Sequence, residues 1–416
     1  MKFEAPHVDT LLLQDGGRPA PGPGATVAPI EQSTAYAYAD AEMLESVFAG
    51  REPGYVYARL ANPTVARLEQ RMATLEDGRG AVACASGMAA VALVMQTLAG
   101  AGDEIVSGNS VFGGTYSFFQ NTLSRNGITT RFVEATDVEA YRAALNDRTR
   151  AVFVETLGNP KLDVPDLAAI AAVAREQGVA LVVDNTVPTP LLLRPKTLGA
   201  DIAIYSASKY LNGHGNAIGG LIVDTGVCDW TSPRYTALTA WRERVGAMAL
   251  LTCLRAQMRR DYGSILAPLH AFLIGMGMDT LGLRMERHCA SARRVADCLA
   301  HHPRVRETRY PGRTDHPDHA VACRQFGGRY GGLVTLRLES KAQCFRFLNG
   351  LKLARTVVNI GDTRTLAIHP ASTFCRDLSP AQQQAVGVSD GLVRLSIGLE
   401  HADDIVDDLE QSLAKL

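Results

Sequence analysis

The sequence of 416 residues has no stretch that approaches the roughly 18 uncharged apolar residues of a membrane-spanning helix. Its first residues, from Met1 to Pro6, also lack the apolar segment of a secretory signal peptide. We therefore expect a soluble protein that makes no membrane contact and resides in the cytoplasm.

The eight cysteines include no CxxC pair and no spacing typical of a zinc site. Scattered cysteines of this kind indicate reduced thiols rather than a disulfide framework, and we predict no metal centre. The formal net charge is −1, so the chain also lacks the positive excess that favours nucleic acids or anionic membranes. These absences leave a small molecule as the expected ligand.

What the sequence does contain is an alternation of apolar runs and helical patterns that is typical of the α/β class. The length suggests two or three domains. We predict an N-terminal arm over residues 1–61 that contacts a neighbouring subunit, a cofactor-binding large domain over residues 62–262, and a C-terminal α/β domain over residues 263–416. The arm includes the linker Gly16–Gly24, whose prolines and glycines disfavour regular structure.

The most informative stretch is Ser206–Gly215, which follows an apolar run that we predict to be a buried strand. Lys209 would lie just beyond the carboxyl end of that strand, where open α/β sheets bind ligands. A lone lysine there is usually a solvated surface residue. The hydroxyls of Ser206 and Ser208, together with Asp184 at the end of the preceding predicted strand, instead favour a pyridoxal phosphate site. In such a site an acid keeps the pyridine nitrogen protonated.

A second phosphate-binding pattern lies between the predicted strand Gly80–Ala85 and the predicted helix Ala89–Leu98. Ser86, Gly87 and Met88 form the turn between them. A turn that opens a helix presents free backbone N–H groups to an anion. A glycine needed only for tight packing is the alternative.

Tyr57 and Arg59 are two residues apart, so both side chains point to one side of an extended segment. A phenol and a guanidinium on one face can clamp phosphate oxygens. A surface pair without a ligand is the alternative.

Arg394 interrupts the apolar, strand-like run Gly391–Gly398. A cation in such a run is costly unless an anion meets it, so an anion-binding role competes with a half-buried structural salt bridge. We expect the neighbouring Arg364 to be exposed.

We predict one long helical stretch from Pro268 to His301. Its inward stripe includes His288, which we expect to be a structural histidine.

The segments Asp184–Thr186, Ser206–Tyr210 and Gly213–Gly215 together resemble the Cys/Met-metabolism family of pyridoxal phosphate enzymes. That family includes cystathionine γ-synthase, cystathionine lyases, methionine γ-lyase and the homoserine-ester sulfhydrylases. The resemblance extends from about Thr10 to the C-terminus. It implies the type I, aspartate aminotransferase-like fold of pyridoxal phosphate-dependent transferases, with a mostly parallel sheet in the large domain and a smaller C-terminal α/β domain.

The resemblance also implies roles for individual residues. Lys209 forms the Schiff base with the cofactor and moves protons, and Asp184 holds the pyridine nitrogen. Arg394 grips the α-carboxylate of an amino-acid substrate, with Asn159 and Asn359 beside it. The implied cofactor-binding residues are Ser86, Gly87, Met88, Phe112, Asn159, Asp184, Ser206, Ser208, Lys209, Tyr57 and Arg59.

In this family the tyrosine–arginine motif reaches the cofactor of the neighbouring subunit. The resemblance therefore implies that Tyr57 and Arg59 complete a partner's site. A homo-oligomer with shared sites follows, and we expect a dimer of dimers.

Several positions favour γ-replacement on an O-acyl-homoserine by sulfide or a thiol, which forms homocysteine or methionine. Asn359 and Asp362 stand where γ-lyases tend to carry Ser and Gly, and Gly114 stands where methionine γ-lyases have a reactive Cys. Phe112 replaces a common Tyr, and so removes an acid that a departing carboxylate hardly needs. This pattern resembles O-acetylhomoserine and O-succinylhomoserine sulfhydrylases. A γ-lyase is the alternative, and a silent cofactor-binding regulator is a third reading.

Overall fold

The structure is a computed structural model that describes residues 6–13 and 25–416. The predicted linker Gly16–Gly24 lies outside the described residues. Within the described ranges, no helix is long and apolar enough to cross a membrane.

The larger of two sheets in the described residues has seven strands, all parallel except one. In chain order these strands are β1 (Gly80–Cys84), β2 (Glu104–Gly108), β3 (Thr129–Val133), β4 (Thr149–Glu155), β5 (Ala180–Asp184), β6 (Ile202–Ser206) and β7 (Gly220–Asp224). Their order across the sheet is β1-β7-β6-β5-β4-β2-β3, and β7 runs antiparallel to both neighbours. Strands β4, β5 and β6 are apolar and largely buried, as expected for a parallel sheet covered on both faces. The α/β prediction is confirmed.

The smaller sheet has five strands in the described residues and lies in the C-terminal part of the chain. These strands are β8 (Glu307–Arg309), β9 (Leu333–Arg337), β10 (Arg355–Thr356), β11 (Leu366–Ile368) and β12 (Leu392–Ser396). Their order is β10-β11-β12-β9-β8, and only the pair β10–β11 is parallel. The two sheets fall on either side of the predicted boundary between residues 262 and 263, and the domain limits themselves stay a prediction.

Helices cover both sheets. The α-helices of the described residues are α1 (Val8–Leu12), α2 (Ala41–Phe48), α3 (Pro63–Glu76), α4 (Gly87–Leu98), α5 (Gly113–Ser117), α6 (Val138–Ala144), α7 (Leu167–Glu176), α8 (Thr189–Leu192), α9 (Thr236–Val245), α10 (Ala249–Cys253), α11 (Arg260–Tyr262), α12 (Pro268–Asp279), α13 (Leu281–Ala300), α14 (His319–Phe326), α15 (Lys341–Gly350), α16 (Pro380–Ala385) and α17 (Ala402–Leu413). Wider π-helical turns continue α5 and α10, at Phe118–Leu123 and Leu254–Arg259. Short 3₁₀ turns lie at Pro195–Leu198, Gly246–Met248 and Pro370–Ser372.

The helical stretch predicted from Pro268 to His301 is confirmed, and it forms as two helices, α12 and α13, with a break at Thr280. The guanidinium of Arg284 donates to the carbonyl oxygen of Gly277 at 2.6 Å. It therefore occupies an acceptor that the backbone of a continuous helix would use. The inward stripe of α13 is buried as predicted. His288 is structural, since its Nδ1 lies 2.6 Å from the carbonyl oxygen of Ile397 and its ring packs edge-on against Tyr210.

Part of the predicted N-terminal arm packs on its own chain. Helix α1 lies against α3 and α13, and Leu12 is buried in the main core. Val8–Leu12 thus contributes to the core of its own chain. Contact of the arm with a neighbouring subunit stays a prediction.

A buried arginine fixes the loop that follows β6. Arg284 is 4% exposed, and its guanidinium donates to the carbonyl oxygens of Tyr210 at 2.7 Å and Leu211 at 3.2 Å, in addition to Gly277. Burial lowers the pKa of Arg284 to about 10. Arg284 thus ties the two carbonyls directly after Lys209 to the end of α12.

We predict that Arg284→Leu lowers the free energy of unfolding by about 2–4 kcal/mol, because buried carbonyls lose their donor. Arg287→Leu is the control, since Arg287 is exposed and makes one 3.3 Å bond to the Glu400 carbonyl. Urea denaturation followed by tryptophan fluorescence measures both. Equal effects of the two changes would contradict the role given to Arg284.

Candidate active site

A cleft of about 770 Å³ opens at the carboxyl ends of β4, β5 and β6 and is closed on one side by the C-terminal domain. Open α/β sheets bind ligands at this edge, so the location agrees with the sequence prediction. The lining residues are Gly87, Met88, Val91, Phe112, Thr115, Glu155, Leu157, Asn159, Asp184, Thr186, Val187, Ser206, Lys209, Val358, Asn359, Ile360, Phe374 and Arg394.

Lys209 lies in this cleft rather than in solvent, so the surface alternative is wrong. Its ammonium donates to Oδ1 of Asn359 at 2.6 Å. Burial, and then the positive charge of Arg394, lower the pKa of Lys209 to about 8. A lysine in this state releases its proton readily and can act as a nucleophile near neutral pH.

Two carboxyl groups lie side by side near the floor of the cleft. Asp184 and Glu155 are direct neighbours on the parallel strands β5 and β4. Burial raises the pKa of Asp184 to about 6, while the Thr186 N–H donates to its Oδ1 at 3.0 Å. Burial, and then the charge of Asp184, raise the pKa of Glu155 well above its usual range. The pair can carry one negative charge at far lower cost than two.

Sequence reasoning missed Glu155. Its Oε1 accepts the backbone N–H of Phe112 at 2.6 Å, and it is 7% exposed. A signal was present, because Glu155 ends an apolar strand in the same way as Asp184 does. The acid therefore holds the start of α5, which carries Phe112 into the cleft.

Helix α4 begins against β6 at the turn where a phosphate cradle is predicted, and phosphate binding there stays a prediction. A Cβ atom at Gly87 would lie 2.7 Å from the Cβ of Ser206, so only glycine permits this approach. Gly87, Met88 and Ser206 line the cleft. The N-terminus of a twelve-residue helix thus faces the space between them, as an anion site requires.

Two of the predicted phosphate-binding hydroxyls are engaged with backbone groups and do not line the cleft. Ser86 caps α4 by accepting the N–H of Ala89 at 3.1 Å. The Ser208 hydroxyl accepts the N–H of Gly219 at 3.0 Å. Contacts of these two hydroxyls with a phosphate stay predictions.

Arg394 is a buried cation in the cleft that is suited to receive an anion. It is 3% exposed, and its guanidinium donates to Oδ1 of Asn159 at 2.9 Å and to the carbonyl of Asn359 at 3.0 Å. Its Nε has no partner, and among the described residues no carboxylate pairs with it. Burial lowers the pKa of Arg394 to about 10. The structural salt-bridge alternative is therefore wrong. Arg364, by contrast, is exposed as expected.

Aromatic rings cover this receptor. The guanidinium carbon of Arg394 lies 4.8 Å from the ring centre of Phe374, whose ring is 6.2 Å from that of Phe112. Sequence reasoning missed Phe374, because no charge or glycine signal marks it. These rings exclude water and strengthen any charge interaction that Arg394 makes.

Tyr57 and Arg59 do not line the cleft of their own chain. Arg59 is exposed and donates to the carbonyl of Arg260 at 3.1 Å, and its guanidinium lies 5.5 Å from the ring centre of Tyr57, which is 40% exposed. Their predicted role at a neighbouring subunit's site stays a prediction.

The residues present fit pyridoxal phosphate. The cleft offers an amine with a lowered pKa, an acid at the end of the adjacent strand and an anion cradle at a helix N-terminus. Bound next to Lys209, the cofactor's phosphate would lie toward Gly87 and its pyridine nitrogen toward Asp184. Fold and site together define a pyridoxal phosphate-dependent enzyme of the type I class.

The chain belongs to the Cys/Met metabolism PLP-dependent enzyme family, whose model matches residues 9–414. It is 42% identical to O-acetyl-L-homoserine sulfhydrylase 1 of Thermus thermophilus, with 100% of each chain covered. It is also 37% identical to the L-methionine gamma-lyase of Pseudomonas putida, with 98% of this chain and 97% of that protein covered.

A solved structure from Campylobacter jejuni, of a protein assigned as an O-acetylhomoserine (thiol)-lyase, matches with a TM-score of 0.94 and 31% identity. The match covers 98% of this chain and 99% of that one, which contains N'-pyridoxyl-lysine-5'-monophosphate. The predicted family, fold class and cofactor are confirmed.

The carboxyl pair predicts a pH dependence of stability. The pKa of Glu155 is higher in the folded chain than in the unfolded chain, so the folded chain retains this proton more firmly. The resulting stabilisation is complete below the unfolded pKa, about 4.3, and is lost as pH rises through the folded pKa. We expect Glu155→Gln, which keeps an acceptor for the Phe112 amide, to gain stability relative to wild type as the pH rises above about 4.3.

Thermal midpoints of the cofactor-free chain at several pH values measure this. Glu139→Gln, at a site that is 75% exposed, is the control and should leave the pH dependence unchanged. A Glu155→Gln protein with the pH dependence of wild type would contradict the prediction.

Proposed function

We propose that this enzyme catalyses γ-replacement on an O-acyl-homoserine, with sulfide or a thiol as the incoming group, and so forms homocysteine or methionine. Support comes from the identity with an O-acetyl-L-homoserine sulfhydrylase over the whole chain. The methionine gamma-lyase is less similar but still close, so identity alone does not separate the two reactions.

The observation that carries the proposal is the packing of Phe112 on Gly114. A Cβ atom at Gly114 would lie 2.6 Å from Cε1 of the Phe112 ring. A cysteine at position 114, as expected of a methionine γ-lyase, would therefore require the Phe112 ring to shift. The same ring offers no hydroxyl to protonate a leaving group. An ester leaves as a carboxylate and needs little protonation, whereas a thiolate needs more.

Arg394 sets the orientation of the substrate. Its guanidinium, backed by Asn159 and the Asn359 carbonyl, would bind the α-carboxylate by charge-assisted hydrogen bonds. The α-amino group then faces Lys209, which shares Asn359 with Arg394. The amino acid thus bridges the two sheets.

Bound pyridoxal phosphate supplies a ring that withdraws electrons from the substrate's α and β carbons. Lys209 Nζ would remove the Cα proton and pass it on to the bound group, which frees the amine to remove the Cβ proton. The bond from Cγ to the ester oxygen breaks with its electron pair leaving on the carboxylate, the sulfur nucleophile adds at Cγ, and Lys209 returns protons to Cβ and Cα. Asp184 would hold the pyridine nitrogen of the bound cofactor, and Glu155 accepts the N–H of Phe112 and so holds Phe112 in place.

We predict that the wild type uses O-acetylhomoserine far better than methionine or cystathionine. Phe112→Tyr should restore a proton donor and raise kcat/KM by about 10²-fold for the thioethers, with little gain for the ester. The measurement is kcat/KM for both substrate classes in both proteins. A wild type that eliminates thiol from methionine as fast as it uses the ester would support the γ-lyase instead.

We further infer that the enzyme is a homo-oligomer, a dimer of dimers, in which Tyr57 and Arg59 complete the phosphate site of a neighbouring chain. Their exposure, and their absence from their own cleft, support this. A cytoplasmic location is likewise inferred, and the eight free cysteines support it.

Shared sites predict complementation between inactive chains. Mixed oligomers of Arg59→Ala and Lys209→Ala should regain part of the activity. One active site then combines the native Lys209 of the first chain with the native Arg59 of the second. Mixtures of Lys209→Ala with Asp184→Asn are the control and should stay inactive, since both residues serve one chain's own cleft. No recovery in verified mixed oligomers would contradict the shared site.

A further inference from the structure

A cysteine, a histidine and a tyrosine meet on the surface of the C-terminal domain, away from the cleft. Cys323 lies one turn after His319 on α14, and Tyr330 follows that helix. The Cys323 sulfur is 3.3 Å from Nε2 of His319 and 3.1 Å from the hydroxyl of Tyr330. Cys323 is exposed, while Tyr330 is only 5% exposed. Reagents can therefore reach the Cys323 sulfur, while burial keeps the neighbouring Tyr330 in place.

The histidine is oriented as a base toward the sulfur. Nδ1 of His319 is 2.9 Å from the carbonyl oxygen of Pro311, which can only accept a hydrogen bond. In the neutral ring the proton must therefore be on Nδ1, and the lone pair of Nε2 faces the thiol of Cys323. A nucleophile, a base and a group that orients the base are the recurring elements of thiol activation.

The tyrosine supplies a donor to the sulfur. Burial, and then the neighbouring Cys323, raise the pKa of Tyr330, so its phenol keeps the proton near neutral pH. The guanidinium of Arg293 lies 5.6 Å from the Tyr330 ring centre and adds positive charge nearby. After proton transfer, the thiolate would accept bonds from both the imidazolium of His319 and the phenol.

The chain contains a contrasting thiol, Cys298, whose exposure is intermediate whereas Cys323 is exposed. Cys298 donates to the carboxylate of Glu410 at 3.0 Å. Burial, and then Glu410, raise the pKa of Cys298 to about 11. A thiol beside a carboxylate should react slowly, because the negative charge disfavours the thiolate. A thiol beside a neutral imidazole should react fast, because the imidazole can take its proton. Cys298 is thus an internal control for Cys323.

We propose that Cys323 is an activated thiol that undergoes reversible exchange with low-molecular-weight disulfides. His319 takes the proton from the thiol, and the thiolate attacks one sulfur of the disulfide. A new bond forms to Cys323 as the original disulfide bond breaks, and the departing thiolate takes the proton from His319. The exchange balances without any further oxidant. It is independent of the reaction in the cleft.

The wild-type holoenzyme tests this without any substitution. With excess 4,4′-dithiodipyridine, peptide mass spectrometry gives the labelling rate of each cysteine from pH 5 to 9. Cys323 should be labelled first, about tenfold or more faster than Cys298 at pH 7. Its rate should fall by much less than the tenfold per pH unit that an ordinary thiol shows below its pKa of about 8.5. Slower labelling than Cys298, or an ordinary pH profile, would overturn the proposal.

Substitutions assign the effect to the cluster. His319→Gln should slow labelling of Cys323 at pH 6 about tenfold, and by much less at pH 9, where an ordinary thiol ionises by itself. Cys323→Ser should remove the fast phase, and Glu410→Gln should speed only Cys298. Retained absorbance of the bound cofactor shows that each variant is folded. An unchanged Cys323 rate in folded His319→Gln would refute the role of the histidine.

Discussion

The site depends on one buried cation that the chain does not neutralise. Arg394 sits on β12 of the C-terminal sheet, donates to Asn159 from the loop after β4, and has no carboxylate partner among the described residues. Holding an unpaired charge in such surroundings is costly, and the cost falls when an anion arrives. We propose that a substrate carboxylate is that anion, so that binding and orientation follow from the same interaction.

Arg394 also links substrate binding to proton transfer. Its charge contributes to the lowered pKa of Lys209, and both side chains meet at Asn359. A bound carboxylate would offset that charge and make Lys209 a stronger base at the moment when protons must move. At the floor of the cleft, Asp184 and Glu155 are neighbours with little room for two charges, and Glu155 accepts the N–H of Phe112. The preference among leaving groups then depends on the ring of Phe112.

Much of this arrangement could be predicted from the sequence. Strand-end residues such as Lys209 and Asp184 follow apolar runs, and the topology of a parallel sheet brings them together. Glu155 and Phe374 were missed because their roles arise from packing between distant segments. The break at Thr280 was missed because Arg284, on the next helix, decides it. Strand β3 was missed because it is an edge strand of mixed exposure. The hydroxyls of Ser86 and Ser208 accept backbone N–H groups, and residue spacing in the sequence does not reveal such bonds.

The most direct test of this account compares O-acetyl-L-homoserine with its α-carboxamide as ligands of the holoenzyme. Binding is followed by the visible absorbance of the bound cofactor, in wild type and in Arg394→Leu. The wild type should prefer the carboxylate by about 10²–10³-fold, as expected when a buried charge loses its partner, and Arg394→Leu should lose this preference. An Arg394→Leu enzyme that keeps the wild-type preference would contradict the central role of this cation.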